Sequence, residues 1–265
     1  MSRSRWLAPM ACALYAFLYA PVVVVVVFSF NAAAHGSAWT GFTFDWYRKL
    51  LANEPVLRAG QNTLVLAVAS TVLATALGTL LGYGLSRYRF PGQRVFAQLL
   101  HIPVFIPDIV LAVALMLFFA VLRERLGFLE PGLVTMTLAH VTFQIPFVAV
   151  VVRARLAGLD PALEEAARDL GASAWQTFWQ VTFPLMLPGV LAGAMLAFTL
   201  SLDDFVVSFF TSGPGSTTLP IYIYSSVKRG LSPDINALSS VVVMASVLAT
   251  LTALAFQRSR RGAGS

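Results

Sequence analysis

Residues 160–184 read DPALEEAARDLGASAWQTFWQVTFP and separate two long apolar runs, Leu133 to Val152 and Leu185 to Phe210. With the flank from Arg153, the insertion is about thirty residues, far more than a helical hairpin needs. Asp160-Pro161 reads as a helix start, with a side-chain acceptor at the N-cap and proline at the first helical position. Leu163, Ala166, Ala167 and Leu170 recur with helical spacing and form one apolar stripe. Glu164 and Arg168 sit four apart on the other face, a favourable pair. Gly171 suits the left-handed position that ends a helix. Ser173-x-x-Gln176 then reads as a capping box for a second short helix carrying Trp175, Phe178 and Trp179. The stretch is thus two amphipathic helices joined at a glycine elbow. Two readings stand: a hairpin lying on the membrane surface, or a rigid knob that a partner grips.

The rest of the chain decides what carries this segment. Its 265 residues are 58% hydrophobic and 11% charged, with a mean hydropathy of +0.77. A soluble domain averages about 25% charge, so the bilayer is the solvent here. About 20 apolar residues span a hydrocarbon core as a helix. Six runs meet that length: Trp6 to Phe30, Asn62 to Leu85, Leu99 to Leu122, Leu133 to Val152, Leu185 to Phe210 and Ala237 to Phe256. Each must be helical, because lipid offers unpaired amides no partner. Pro21, Pro103, Pro107, Pro146 and Pro188 are expected to kink or break these helices.

The basic N-terminus and first run also fit a signal peptide cleaved at Ala32–Ala34, with a mature end near His35. A run of 25 residues exceeds the usual 7–15 of such segments, so an uncleaved first helix is expected. With six spans, 11 basic residues fall on one side and 7 on the other. Arg3, Arg5, Arg87, Arg89, Arg153, Arg155, Arg258 and Arg260 are on the richer side, which places both termini in the cytoplasm. Gly78-x-x-x-Gly82 and Gly189-x-x-x-Gly193 allow close helix approach, a common membrane pattern. A single cysteine, Cys12, excludes an intrachain disulfide.

Neither of the two lysines, Lys49 and Lys228, follows a glycine run, so no phosphate-binding loop is possible. His101 and His140 lie within spans and read as packing or pore lining. Energy for transport must come from another chain or from an ion gradient. Three carboxylates fall at membrane depth, Asp108, Asp203 and Asp204, and such groups default to function. Asp108 is placed about nine residues, or roughly 13 Å, along its helix; Asp203 and Asp204 are about 18 residues, or roughly 27 Å, along theirs. The bland alternative makes Asp108 a cap after Pro107 and leaves the pair wet at the interface. Neighbours on a helix diverge by 100°, so one of Asp203 and Asp204 is expected to face a pathway and the other a neighbouring helix. Phe205, Phe209, Tyr222 and Tyr224 offer cation–π faces or belong to an interfacial belt.

Glu165-Ala166-Ala167, with Gly171, Val181 and Pro184 in register, resembles the EAA loop of importer-type ABC permeases. Phe183 stands where that pattern has leucine. The resemblance implies an all-α membrane protein of the type I importer permease fold, six transmembrane helices with a two-helix cytoplasmic coupling segment. It implies that Glu165 contacts an ATPase subunit, that Ala166 and Ala167 form the docking surface, and that Gly171 is the elbow. Ser29-Phe30-Asn31, Pro107-Asp108-Ile109-Val110, Ser201-Leu202-Asp203-Asp204, Tyr224-Ser225-Ser226-Val227-Lys228 and Ser232-Pro233-Asp234-Ile235-Asn236 resemble the spermidine/putrescine branch of that family.

On this resemblance residues 1–58 hold the first helix and an extracytoplasmic loop, 59–257 the permease core with coupling segment 157–184, and 258–265 a tail. The implied partners are a second homologous permease, two ATPase subunits that carry ATP and Mg, and a periplasmic binding protein. That protein would deliver polyamine to the loops Asn31 to Gly60 and Thr211 to Asn236. The chain itself binds no cofactor, metal or nucleic acid and is not an enzyme. The substrate pathway is assigned Asp108, Asp203, Asp204, Tyr222 and Tyr224. The rival is an autonomous ion-coupled carrier or channel for organic cations, which leaves the 160–184 segment idle.

Overall fold

The long apolar runs become helices wherever their backbone is free to do so. The computed structural model describes residues 4–33, 38–229 and 233–262, with side chains over 7–33, 38–229 and 233–248. In chain order the helices are α1 (Ser4–Phe28), α2 (Asp45–Ala52), α3 (Glu54–Arg87), α4 (Gln93–Leu99), α5 (Ile102–Phe105), α6 (Asp108–Leu126) and α7 (Leu133–Ala157). There follow α8 (Ala162–Asp169), α9 (Ala174–Thr177), α10 (Phe183–Leu202), α11 (Val206–Thr211), α12 (Leu219–Arg229) and α13 (Pro233–Gly262). Among the described residues the only β pairing is an isolated bridge between Asn31 and Phe42.

Four helices are long and apolar enough to cross a bilayer: Leu7–Phe28, Glu54–Arg87, Leu133–Ala157 and the continuous stretch Ala174–Leu202. The bent pair Gln93–Phe105 and Asp108–Leu126 makes a fifth. The sixth expected run lies on α13, whose apolar portion among the described side chains is Pro233–Leu248.

The third run is not the straight span expected from Leu99 to Leu122. Its two halves meet at 108°. Pro107 forces the preceding residue out of the helical region, and Ile106 is extended at ψ 133°. Pro107 itself, at ψ 134°, starts the new direction and caps α6. Pro103 stands in the first turn of α5, just past the interruption between α4 and α5, whereas Pro9 and Pro21 lie inside α1, Pro146 inside α7 and Pro188 inside α10. The fifth run does break at its acidic pair, between α10 and the six-residue α11.

The chain divides into two units, residues 58–221 and residues 1–57 with 222–265. Within the first, α7 is clasped by α3 and α10. A β-carbon at Gly78 would lie 2.7 Å from Val148 Cβ, and one at Gly193 would lie 3.1 Å from Val148 Cγ1. Both glycine pairs read from the sequence therefore serve close packing against the same helix. Val148, Val152 and Leu156 of α7 interlock with Met186, Val190 and Ala197 of α10. Ala112 and Phe119 of α6 pack with Ala139 of α7 and Val207 of α11. Since lipid is as apolar as these side chains, the gain is dispersion and fit rather than escape from water.

In the second unit, buried Asn31 organises the chain after α1. Its Nδ2 donates to the Ala38 carbonyl (2.8 Å), its Oδ1 accepts from the Thr40 amide (3.0 Å), and its own carbonyl accepts from Trp46 Nε1 (2.8 Å). The Phe30 and Phe42 rings stack at 5.2 Å, so the turn into α2 is built rather than loose. Of the considered cleavage site, Ala34 and His35 lie outside the described residues, as does Ser232 of the polyamine-branch motif.

Candidate functional site

The segment 160–184 adopts the caps its sequence announces. Asp160 Oδ1 accepts the Ala162 amide at 3.0 Å and starts α8. Gly171 has φ +88°. The Gly171 amide donates to the Arg168 carbonyl (2.9 Å) and the Ala172 amide to the Ala167 carbonyl (3.0 Å), the paired bonds of a Schellman termination. Ser173 and Gln176 form the reciprocal box, at 2.8 and 3.3 Å. The second helix is not a separate element, however. α9 passes through a π-turn, Phe178–Thr182, directly into α10. The widened turn precedes Pro184, whose ring displaces the carbonyl four residues back.

Glu164 takes a role the helical wheel did not give it. Its Oε1 lies 2.9 Å from Arg87 Nη2 and 3.1 Å from Thr182 Oγ1, while Arg168 is 3.9 Å away. The side chain is 13% exposed. One carboxylate therefore joins α8 to the ends of α3 and α10. The apolar stripe faces outward: Leu170 is 90% exposed, Leu163 is exposed with it, and so is Trp175 of the second helix. Glu165 and Ala166 are exposed and Ala167 is half-buried. The pair is thus pinned by its carboxylate and leaves an apolar surface uncovered.

The second polar cluster is the break in the fifth run. Asp204 turns inward: its Oδ1 accepts the Val207 amide at 3.2 Å and its Oδ2 the Ser208 amide at 2.7 Å, so it starts α11. The same Oδ2 lies 3.2 Å from Nε2 of fully buried His140 on α7. His140 also meets Ser208 Oγ (3.0 Å) through Nε2 and Ser201 Oγ (2.8 Å) through Nδ1. Ser201 reaches Ser70 of α3 at 3.2 Å, and Gln144 Nε2 donates to Ser70 Oγ at 3.3 Å and to the Ala197 carbonyl at 3.1 Å. Asp203 points the other way and is exposed. The two aspartates thus divide, but by the break and not by the 100° of a helix, which ends at Leu202: Asp204 binds the scaffold and Asp203 is exposed.

Residues 74–259 match the family described as binding-protein-dependent transport system inner membrane component. The chain belongs to that family. The permease is 41% identical over 248 residues to the spermidine/putrescine transport system permease protein PotC of Escherichia coli (strain K12), across 94% of this chain and 92% of the relative. It is 40% identical over 243 residues to the putrescine transport system permease protein PotI of the same strain, across 91% of this chain and 86% of that one. Its fold is that of a bacterial ABC transporter that imports the acidic polysaccharide alginate, with a TM-score of 0.75 at 22% identity over 97% of this chain and 94% of the other. The permease is accordingly a multi-pass inner-membrane transport component of the ABC importer fold.

The remaining candidates fall at different places in the permease. Asp108 is the first residue of α6, not a point nine residues along a helix, because the chain turns at Pro107. It is exposed. Tyr222 and Tyr224 belong to α12; Tyr222 is half-buried, and the Tyr224 ring carries the Lys228 ammonium at 4.8 Å from its centroid. Sequence reasoning missed His140 and Arg87 as partners. Both were visible as polar groups in or at the end of an apolar helix, and such groups need a partner.

Proposed function

We propose that this permease is one membrane subunit of an ATP-driven importer whose cargo is a polyamine, spermidine or putrescine, delivered by a periplasmic binding protein. A second, similar permease would complete the conduit. Two ATPase subunits would hold ATP and Mg, and this chain would bind no cofactor. Both termini would face the cytoplasm, which puts the 160–184 segment on the ATPase side. Leu163, Leu170 and Trp175 supply an exposed apolar docking surface, with Glu165, Ala166 and Ala167 beside them, and Glu164 carries its displacement to α3 and α10.

The observation that carries the cargo reading is the exposed Asp203 at the break of the fifth apolar run. A helix interrupted at membrane depth is tolerated where it lines a cavity or is enclosed by protein. The third run breaks too, and Asp108 sits at that break. The helices that follow the two breaks, α6 and α11, pack side by side. Carboxylates at two breaks suit a flexible polycation, which neutralises them in turn as it passes. Tyr224, already holding one primary ammonium, offers the chemistry of a cation–π contact. The names of the relatives support the same cargo class.

The test is uptake into vesicles containing the assembled importer, energised with ATP, comparing spermidine, putrescine and a neutral solute of similar size. Saturable uptake of a polyamine and none of the neutral solute is expected. Preference for the neutral solute would refute the cargo assignment.

A further inference from the structure

We infer that His140 is a positioning residue for transport: it ties together both sides of the break in the fifth run and so fixes the direction in which Asp203 is presented. This rests on the reading of Asp203 as a cargo contact. Ser201 ends the buried face of α10, and Ser208 lies in the first turn of α11. The imidazole reaches one through Nδ1 and the other through Nε2, at 2.8 and 3.0 Å. Its two nitrogens lie on opposite edges of a rigid ring, so it bridges two segments that no single hydroxyl or carboxylate could span.

The hydrogen-bond order gives the ring a defined orientation. The Asp204 carboxylate, an acceptor from two amides and from His140, requires a hydrogen on Nε2. Nδ1 then accepts from Ser201, whose oxygen accepts from Ser70, whose oxygen accepts from Gln144. The Nε2 hydrogen lies between Asp204 Oδ2 (3.2 Å) and Ser208 Oγ (3.0 Å), so it serves both. Around it are apolar groups, with Phe143 at 5.3 Å from the imidazole. In such surroundings losing one member strands the next. Removing the imidazole leaves Asp204 able to cap α11, and leaves α11 held to α7 by the Val207–Ala139 packing and the Thr135–Thr211 hydrogen bond. It cuts the bridge between Ser201 of α10 and Ser208 of α11, and Asp203 lies between those two residues.

The experiment uses the assembled importer in vesicles, with Cys12→Ala to remove the native thiol. Asp203→Cys introduces a thiol that reports the direction of that position, and its rate of modification by a membrane-impermeant cationic thiol reagent is measured. Trp175→Cys, in a separate sample, reports the distant coupling segment. His140→Leu is expected to change the rate at position 203 by about tenfold or more, since thiol reactivity follows exposure and local charge, and to leave position 175 unchanged. His140→Gln, which keeps a donor near the Nε2 position, is expected to restore most of the rate. Ser208→Ala, too small a change to prevent folding, is expected to shift it in the same direction as His140→Leu. An unchanged rate at 203, equal shifts at 203 and 175, or failure of His140→Gln to recover would each overturn the proposal. These rates do not depend on the cargo, so they separate failure of the His140 role from failure of the polyamine reading.

Discussion

Arg87, the last residue of α3, places its Nη2 2.9 Å from Glu164 Oε1 in the coupling segment, and both side chains are largely buried. The same carboxylate reaches Thr182 on the approach to α10. Midway along α3, Ser70 meets Ser201 near the end of α10. α3 and α10 are therefore joined at two levels, by a charged clasp and by a polar core, and on the proposed function a displacement of α8 would reach the acidic break through both.

Breaking the clasp should uncouple the importer. Removing one partner of a buried ion pair leaves the other uncompensated, at a cost of about 3–5 kcal/mol for a fully buried pair. Arg87→Ala and Glu164→Ala are each expected to reduce ATP-driven uptake by about tenfold or more on that scale. The exchange Arg87→Glu with Glu164→Arg should recover part of it. Additive losses in the double variant would show that the two do not act together.

Gly171 occupies a left-handed backbone position with open space around it. The penalty of a side chain there is therefore conformational, about 1–2 kcal/mol. Gly171→Leu should tilt α8 relative to α9. Uptake should fall sharply while the chain still inserts and the ATPase subunits still hydrolyse ATP. Normal uptake by this variant would count against the elbow.

The two aspartates should separate in their effects. Asp203→Asn is expected to weaken polyamine uptake with no loss of thermal stability, because Asp203 is exposed. Asp204→Ala removes the cap of α11 and the partner of His140. It should lower uptake and also destabilise, with about 0.5–2 kcal/mol from the cap alone. Asp108→Asn should weaken uptake as well. Thermal unfolding in detergent and vesicle uptake check the three together, and equal melting of the Asp203 and Asp204 variants would contradict the division.

Close packing on α7 makes a volume prediction. A β-carbon at Gly78 would crowd Val148 Cβ at 2.7 Å. Gly78→Ala should destabilise by about 1–3 kcal/mol, the usual cost of overpacking. Adding Val148→Ala should return only a minor part of that loss, because alanine keeps the crowded Cβ and the Ile145 carbonyl stands 2.9 Å from the new methyl, as measured by the melting temperature of the purified complex.

Much of this was legible in the sequence because it is local. The Ser173–Gln176 box, the Asp160 start and the Gly171 elbow depend on neighbours within a few residues, and all three form. The glycine pairs also found their close contacts. Hydropathy reads composition and not chain direction, so the third run looked straight until Pro107 turned it. Of the six runs expected, four helices, or five with the bent pair, meet the spanning criterion among the described residues, and the sixth lies on α13, whose side chains are described only as far as Leu248. Glu164 was paired with its helical neighbour Arg168, yet the shorter contact is to Arg87 on a different helix. His140 was the least legible, because its serine partners lie 61 and 68 residues away in sequence. A lone histidine in an apolar run announces that it needs partners without saying which.

On the proposed function, an external ATPase drives this conduit through the 160–184 segment. Putrescine uptake measured in vesicles holding the whole importer, first with ATP trapped inside and then with ATP removed and a proton gradient imposed, tests it most directly. Uptake is expected in the first condition, abolished by Gly171→Leu, and none in the second. Uptake that runs on the gradient alone and ignores the Gly171 substitution would contradict it.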